Sequence, residues 1–282
     1  DEDDYALISA GAWQAYDQDN LYKAIAGKEG DFGRINAEDV TSKWGVFAIA
    51  GPKSRAILSE LVRDADPSTV LSNKRFPWLS ARDIELGMCP IRAIRVAYTG
   101  ELGWELHMPF DAVANVYAAL WRAGEAHGIA DYGSFAMNVM RMEKGFKGAG
   151  ELTNEVTLAE ADVLRFARTD KDYLGRDKTL NTDLPWVCAY LEIEPDGEID
   201  GHGGEAVMLD GKVVGSTASV AYGHTVGKIL AFAYIKPKAA APGTALEVII
   251  HGKPRAPRVL DYPAYDPQTL SPRADAVQEP DE

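Results

Sequence analysis

The chain has 282 residues, enough for roughly two domains of ~150 residues each. Hydrophobic residues make up 46% and charged residues 26% of the chain, ordinary values that exclude a collagenous, coiled-coil or fully disordered polypeptide. The net charge is −14, which repels phosphate backbones and excludes nucleic acid as a general partner. No apolar run approaches the ~20 residues of a membrane helix, and the acidic first residues do not resemble a signal peptide. We therefore expect a cytoplasmic protein with no membrane partner.

The cysteines and histidines do not form clusters. Cys89 and Cys188 each lie in an apolar stretch, which favours two buried thiols in a reducing compartment over a disulfide. The five histidines are scattered along the chain, and none lies in a close group with cysteines or carboxylates. No metal site is therefore expected.

The first 180 residues mix strand and helix patterns. Residues 5–10 (YALISA) predict a strand with no partner before it, and residues 46–50 predict a short apolar strand. Residues 83–86 and 89–98 predict two more strands, separated by a turn at Gly87. Three helices are indicated by apolar residues at helical spacing and by capping residues, over residues 52–62, 111–128 and 135–144.

The composition changes near Asn181, and from Trp186 onward the chain reads as strands and turns. Asp210-Gly211 lies between two strand patterns and is a strong two-residue hairpin signal, with further strands predicted at 228–235 and 245–250. The predicted fold class is α+β. We expect a first domain at 1–180, a small antiparallel β-barrel at 181–262 and an acidic, mobile tail at 263–282.

Residues 98–106 (YTGELGWEL) carry the pattern that is most suggestive of a ligand site. Two glycines bracket Glu101, and Glu105 follows four residues later. Glycines allow sharp turns and a close approach of the backbone to a ligand. A carboxylate beside aromatic rings suits a flat heterocycle, because its oxygens can accept paired N–H bonds while the rings stack. The alternative is a plain strand turn with solvated glutamates.

The side chains that follow this turn are expected to alternate. If the chain re-enters a strand at Gly103, Trp104 and Leu106 share one face of the sheet. Glu105 and His107 then share the other face. The sequence thus places one carboxylate of the candidate site on the face opposite the apolar residues.

Two further segments have ordinary explanations. Arg141 and Lys144 lie near the end of the third helix, where basic residues favour the helix dipole; a binding role is the less favoured alternative. Residues 222–228 (YGHTVGK) lack the Walker spacing and lead into a strand, so nucleotide binding is not predicted there. The residues alone therefore indicate an α+β protein with a candidate carboxylate-lined heterocycle site.

Five segments in collinear order resemble the tetrahydrofolate-dependent aminomethyltransferase family, the glycine-cleavage T-protein family. They are 45–58 (GVFAIAGPKSRAIL), 95–109 (RVAYTGELGWELHMP), 137–161 (MNVMRMEKGFKGAGELTNEVTLAEA), 175–180 (GRDKTL) and 221–235 (AYGHTVGKILAFAYI). The resemblance extends over nearly the whole chain. It is strongest to the branch that forms the C-terminal half of dimethylglycine and sarcosine dehydrogenases and of dimethylglycine oxidase.

The resemblance implies a T-protein-like cloverleaf of three subdomains around a central hole that holds folate, incomplete at the N-terminus and followed by the β-barrel. Tetrahydrofolate is the implied cofactor. By motif, Tyr98 would pack on the folate and Glu105 would bond the pterin edge. Further cofactor-binding candidates are Glu101, Ser9 and Arg141.

Two departures from the family pattern affect the expectations. T-proteins proper carry a folate-contacting Arg where this chain has Met137, a departure that supports the dehydrogenase branch. The family's N-terminal segment, with its catalytic Asp, has no matched position here, so no catalytic residue is assigned. The chain would then be a fragment, a subunit completed by a partner, or a folate-binding relic. The first two are favoured, because a missing third exposes core surface.

The resemblance implies a role in amine demethylation. A flavin-dependent oxidoreductase domain or subunit would oxidise a methylated amine of the dimethylglycine or sarcosine type. This chain would capture the methylene or formaldehyde unit from that small-molecule donor as 5,10-methylenetetrahydrofolate. No G-x-G-x-x-G follows a strand here, so FAD is expected on a partner or an upstream domain. The alternatives are a folate-dependent O- or S-demethylase and a non-catalytic folate-binding scaffold subunit.

Overall fold

The structure is a computed structural model that describes residues 4–28, 33–197 and 201–275. The chain divides into two compact units, residues 1–45 and 46–282. In the first unit, a 3₁₀ turn at Gly11–Trp13 leads into helix α1 (Gln14–Ala26), and a second 3₁₀ turn spans Thr41–Lys43.

The strand predicted over residues 5–10 is wrong, because this segment has no regular structure. Its apolar side chains Tyr5, Leu7 and Ile8 are 86%, 72% and 65% exposed. Alternating apolar residues form a strand only where a partner strand supplies hydrogen bonds. Helix α1 has no buried residue, so it presents no apolar stripe from which it could have been predicted.

The first sheet has four strands in the order β1-β4-β3-β2. They are β1 (Trp44–Ala50), β2 (Ala81–Leu86), β3 (Cys89–Ile94) and β4 (Gly103–Pro109). The β2–β3 hairpin closes at Gly87, whose φ of +65° favours glycine, and it sets Ile84 opposite Ile91. Strand β3 ends four residues before the predicted end at 98, since the chain turns there into the loop of the candidate site.

Five α-helices of the described chain follow β1. They are α2 (Ser54–Leu61), α3 (Pro67–Val70), α4 (Val113–Gly124), α5 (Ser134–Glu143) and α6 (Arg176–Thr179). The predicted helices at 52–62, 111–128 and 135–144 are thus confirmed as α2, α4 and α5. Trp104 is fully buried, and its ring centroid lies 6.3 Å from that of Phe76 and within 5.7 Å of the guanidinium groups of Arg55 and Arg95.

The second sheet has seven strands in the order β10-β9-β6-β7-β8-β5-β11. They are β5 (Val187–Ile193), β6 (Ala206–Leu209), β7 (Lys212–Gly223), β8 (Lys228–Ile235), β9 (Glu247–Ile250), β10 (Lys253–Arg255) and β11 (Pro257–Leu260). All its paired strands are antiparallel. The hairpin predicted at Asp210-Gly211 is confirmed, with φ of +49° and +72° as a type I′ turn requires.

Both cysteines are free thiols. Cys188 is buried in β5, and burial raises the pKa of its thiol to about 12. Cys89 is only half-buried at the start of β3, so the expectation of two buried thiols holds for one of them. Among the described residues, no helix has the length and apolar content needed to cross a membrane.

Residues 263–275, which we call the C-terminal strap, make specific contacts with the rest of the second unit. Arg95 donates to the carbonyl of Pro272 (2.9 Å), and Arg55 donates to that of Ala274 (2.6 Å). Both guanidinium groups are buried, and burial is the main reason that the pKa of Arg95 falls to about 10. The composition predicted a mobile tail over 263–282; in its described part, these contacts fix the strap on the core.

Candidate functional site

Residues 95–102 join β3 to β4, and the loop of residues 98–102 within them presents the ring of Tyr98, which is 39% exposed. This ring stacks on Phe146, with centroids 6.2 Å apart and planes inclined by 17°. The hydroxyl donates to the carbonyl of Lys147 at 2.7 Å, and burial raises the pKa of this phenol. Tyr98 is therefore a neutral hydrogen-bond donor with a fixed ring that still has surface to offer a ligand.

Two glycines let this loop fit tightly against its neighbours. Gly100 has a φ of +78°, and a Cβ there would lie 2.6 Å from a side-chain carbon of Lys144. A Cβ on Gly103 would lie 2.6 Å from the carbonyl oxygen of Ile49. The glycines predicted to allow a close backbone approach thus approach the protein's own core.

Glu105 follows on β4, where the predicted alternation is confirmed. Trp104 and Leu106 are fully buried, whereas Glu105 and His107 are half-buried on the other face. The Nε2 atom of His107 lies 3.2 Å from Oε2 of Glu105, whose side chain is 36% exposed. Among the described residues this is the one polar partner of the carboxylate, so its other oxygen is available to accept a hydrogen bond.

Arg141, on α5, is buried and fully used inside the protein. All five of its N–H groups have acceptors within 3.0 Å. The acceptors are the side chains of Asn138, Glu151 and Ser219 and the carbonyl of Phe146. Arg141 therefore ties α5, the loop after it and β7 together. This explains its position better than the helix dipole does.

Tyr98 and Arg141 both pack closely against Gly148. A Cβ on Gly148 would lie 3.0 Å from the Tyr98 hydroxyl and 3.3 Å from the guanidinium carbon of Arg141. The backbone N–H of Gly148 also donates to Oε2 of Glu151 at 2.7 Å. Tyr98 and Arg141, two of the predicted site residues, thus both contact the loop of residues 146–151.

The other predicted residues lie elsewhere. Glu101 accepts a hydrogen bond from the hydroxyl of Tyr265 at 2.7 Å, so one of its oxygens faces the strap. Ser9 lies exposed in the irregular segment of the first unit. The structure therefore brings Tyr98, Arg141 and Gly148 together and gives Glu101 and Glu105 separate partners.

Several polar residues of this region were not predicted. Glu151 is fully buried, and its Oε1 atom has no partner among the described residues. The hydroxyl of Thr99 is likewise buried and unpartnered. Orphaned polar atoms of this kind are rare in folded proteins and require an explanation. The signal that could have found Glu151 is the pair of glycines before it (148–151, GAGE), which, like residues 100–103, sets glycines beside a carboxylate.

A separate cavity of about 470 Å³ opens beside β2 and is lined in part by Arg63, Asp64, Glu85 and Met88. Arg63 pairs with Glu85, and Asp64 pairs with Arg75. None of the predicted site residues lines this cavity. The described residues also contain no group of three or more His, Cys, Asp or Glu side chains arranged to hold a metal ion.

Comparison with known proteins defines the class of this fold. The crystal structure of glycine cleavage system aminomethyltransferase T from Bartonella henselae superposes with a TM-score of 0.69 at 19% identity, covering 88% of this chain and 67% of that one. The predicted T-protein fold is thereby confirmed. A family model for the GCVT N-terminal domain matches residues 1–171, and one for the glycine cleavage T-protein C-terminal barrel domain matches residues 187–266. The chain belongs to the glycine cleavage T-protein family.

Its curated relatives include much longer proteins. Human mitochondrial dimethylglycine dehydrogenase is 34% identical over 239 residues, which are 82% of this chain and 26% of that protein. Mouse mitochondrial sarcosine dehydrogenase is 31% identical, over 89% of this chain and 27% of that protein. A probable aminomethyltransferase from Thermococcus kodakarensis is 28% identical, over 88% of this chain and 67% of that protein. The chain thus spans about a quarter of the length of the two dehydrogenases and is related to both them and an aminomethyltransferase.

Proposed function

We propose that this chain is the tetrahydrofolate-binding, one-carbon transfer part of an amine-demethylating enzyme. It captures the methylene or formaldehyde unit released from a dimethylglycine- or sarcosine-type amine as 5,10-methylenetetrahydrofolate. The observation that carries the proposal is the half-exposed, fixed ring of Tyr98 on a T-protein fold related to dimethylglycine and sarcosine dehydrogenases, with the partly exposed carboxylate of Glu105 on the strand that follows.

The residues present are chemically suited to a reduced folate. The Tyr98 ring offers an aromatic surface, and the free oxygen of Glu105 offers an acceptor for the N–H groups of a pterin edge. The buried hydroxyl of Thr99, next to Tyr98 in the chain, is a further polar group that lacks a partner among the described residues. Glu101 and Ser9 remain candidate contacts. Tetrahydrofolate, when bound, would supply the two nitrogens, N5 and N10, that hold the one-carbon unit in the product.

The chain's own residues orient the ligand and keep the site in shape. Arg141 holds the 146–151 loop, whose Phe146 supports the Tyr98 ring and whose Lys147 carbonyl fixes the Tyr98 hydroxyl. A rigid site of this kind lowers the entropy that binding must overcome and brings the reacting groups together. We assign no catalytic residue.

The oxidation is assigned to a flavin-dependent domain or subunit. The support is that the dehydrogenase relatives are about four times as long as the matched region. The cytoplasmic location stays a prediction, and both of these relatives are named as mitochondrial. Cell fractionation, followed by detection of the chain in each fraction, decides between the two compartments.

Calorimetric titration of the chain with tetrahydrofolate tests the proposal. We expect saturable binding, and formation of 5,10-methylenetetrahydrofolate when a flavin-dependent dimethylglycine or sarcosine dehydrogenase module and its amine are added. Absence of tetrahydrofolate binding overturns the proposal. Binding with product from an O- or S-methyl donor and no oxidant favours the demethylase alternative. Binding with no product under either condition favours a scaffold.

A further inference from the structure

The C-terminal strap directly contacts residues 98–102, which we call the ligand loop. The hydroxyl of Tyr265 donates to Oε1 of Glu101 at 2.7 Å, across 164 positions of sequence. Glu101 lies between Tyr98 and Glu105, the two residues proposed to hold the ligand. Just before the loop, Arg95 donates to the carbonyl of Pro272 at 2.9 Å. The strap therefore contacts the centre of this loop and a residue three positions before it.

A second connection runs through Lys144. Its aliphatic stem packs so closely on Gly100 that a Cβ there would lie 2.6 to 2.9 Å from three of its carbons. Its ammonium group, with the side chain 1% exposed, donates to the carboxylate of Asp266 at 2.8 Å and to the carbonyl of the same residue at 2.5 Å. Gly100 thus rests on a side chain whose far end is fixed by the strap.

The strap is itself held rigidly enough to support the loop. The backbone N–H of Tyr265 donates to the carbonyl of Glu143 at 2.9 Å. The Asp266 carboxylate accepts the backbone N–H groups of Leu270 (2.8 Å) and Ser271 (3.1 Å). The last described residues are bound by Arg55 and Asn73. A segment fixed at Tyr265 and at the residues that follow it can hold Glu101 at one place.

We infer that the C-terminal strap positions the ligand loop, and that Tyr265 is a positioning residue that acts through Glu101. The inference rests on the proposed function for the identity of the ligand. Its physical basis is preorganisation: a loop already held in its binding conformation loses less freedom when the ligand arrives. Tyr265 does not need to touch the ligand for this effect.

The test removes the hydroxyl and keeps the ring. We expect Tyr265→Phe to weaken tetrahydrofolate binding about 3- to 10-fold, as for the loss of one hydrogen bond, with little change in Tm. Tyr262→Phe is the matched control, because Tyr262 lies just before the strap, is 48% exposed and interacts with Arg258. Equal affinities for Tyr265→Phe and wild type overturn the inference, as does an equal loss in both variants.

Glu101 variants separate positioning from direct contact. Glu101→Gln keeps an acceptor oxygen for Tyr265, so we expect it to bind within about 2-fold of wild type, while Glu101→Ala behaves like Tyr265→Phe. The double variant Glu101→Ala/Tyr265→Phe should be no weaker than either single one, because both remove the same bond. A full loss in Glu101→Gln, or additive losses in the double variant, overturns the positioning role.

Hydrogen exchange distinguishes this inference from the proposed function. We expect the amides of residues 99–103 to exchange faster in Tyr265→Phe than in wild type or Tyr262→Phe, with no ligand present. If the wild-type chain does not bind tetrahydrofolate, the proposed function fails. Hydrogen exchange alone then decides whether the strap positions the loop. Unchanged exchange at these amides overturns the inference whatever the ligand does.

Discussion

Arg141 and Glu151 form a 2.7 Å ion pair in which the two side chains are only 3% and 0% exposed. Removing one partner of a buried pair leaves the other charge uncompensated, which typically costs several kcal/mol. We expect Glu151→Gln to lower the free energy of unfolding by about 3 kcal/mol, because Arg141 keeps its bonds to Asn138 and Ser219 but loses its counter-charge. Urea unfolding measures this change.

The control for this prediction is an exposed pair of the same chemistry. Arg168 and Asp170 are 2.6 Å apart, but their side chains are 67% and 62% exposed. Asp170→Asn should therefore leave the unfolding free energy almost unchanged, because solvent screens an exposed pair. Equal effects of the two substitutions would show that burial of the Arg141–Glu151 pair has no energetic role.

Glu105 should contribute to ligand affinity and little to stability. Its side chain is 36% exposed and touches only His107 among described polar groups. If its carboxylate bonds the pterin edge, Glu105→Gln replaces an oxygen acceptor by a donor and should weaken tetrahydrofolate binding by about 1–3 kcal/mol, with Tm nearly unchanged. Titration calorimetry measures the affinity. Glu125→Gln, on the exposed turn after α4, is the control, and an unchanged affinity for Glu105→Gln would reject the assignment.

Local patterns in the sequence predicted the parts of the fold that depend on neighbouring residues. The alternation of Trp104 and Leu106 with Glu105 and His107 follows from strand geometry alone, and the structure confirms it. The Asp210-Gly211 hairpin depends on backbone preferences of two residues and was equally predictable. Apolar spacing located helices α2, α4 and α5 because each buries one face against a sheet or a neighbouring helix.

The contacts that shape the candidate site depend on partners far away in sequence, and local patterns cannot show them. Arg141 binds Ser219, 78 positions later, and Lys144 binds Asp266, 122 positions later. From spacing alone, both residues had the same explanation at a helix end. The family resemblance identified Tyr98 and Glu105 as candidates, but the fixed position of Glu101 beside Tyr265 required the structure.

The buried contact between Lys144 and Asp266 should make the strap sensitive to acid. Burial alone would raise the pKa of the Asp266 carboxyl, but hydrogen bonds from Lys144, Leu270 and Ser271 hold it below its ordinary value of 3.8. Because the pKa is lowered on folding, this stabilisation is fully present above pH 3.8 and is lost as the pH falls through the lower, folded-state pKa. The strap should therefore stay attached throughout the neutral and mildly acidic range.

Asp266→Asn tests this pH dependence. At pH 7 the substitution leaves the Lys144 ammonium group without its counter-charge and should cost about 3 kcal/mol of unfolding free energy. The difference from wild type should be the same at pH 5 and shrink below about pH 4, where the wild-type carboxyl takes up a proton. Thermal unfolding of both proteins across this pH range measures it. A constant difference down to the acid limit would contradict the role assigned to the Asp266 charge.

Gly100 and Gly128 provide a matched pair that isolates the contact between the ligand loop and Lys144. Their φ angles are +78° and +75°, so alanine costs about 1–2 kcal/mol of backbone strain at either position. A Cβ on Gly128 meets nothing within 4 Å, whereas one on Gly100 meets the Lys144 stem at 2.6 Å. The stem cannot move aside freely, because its ammonium group is bound to Asp266.

Gly100→Ala should therefore lower the unfolding free energy by about 1–3 kcal/mol more than Gly128→Ala, as overpacking of a buried contact does. Urea unfolding of the two variants gives this difference directly. Equal costs would mean that the Lys144 stem yields to the new methyl group, and that the strap does not hold the loop through it.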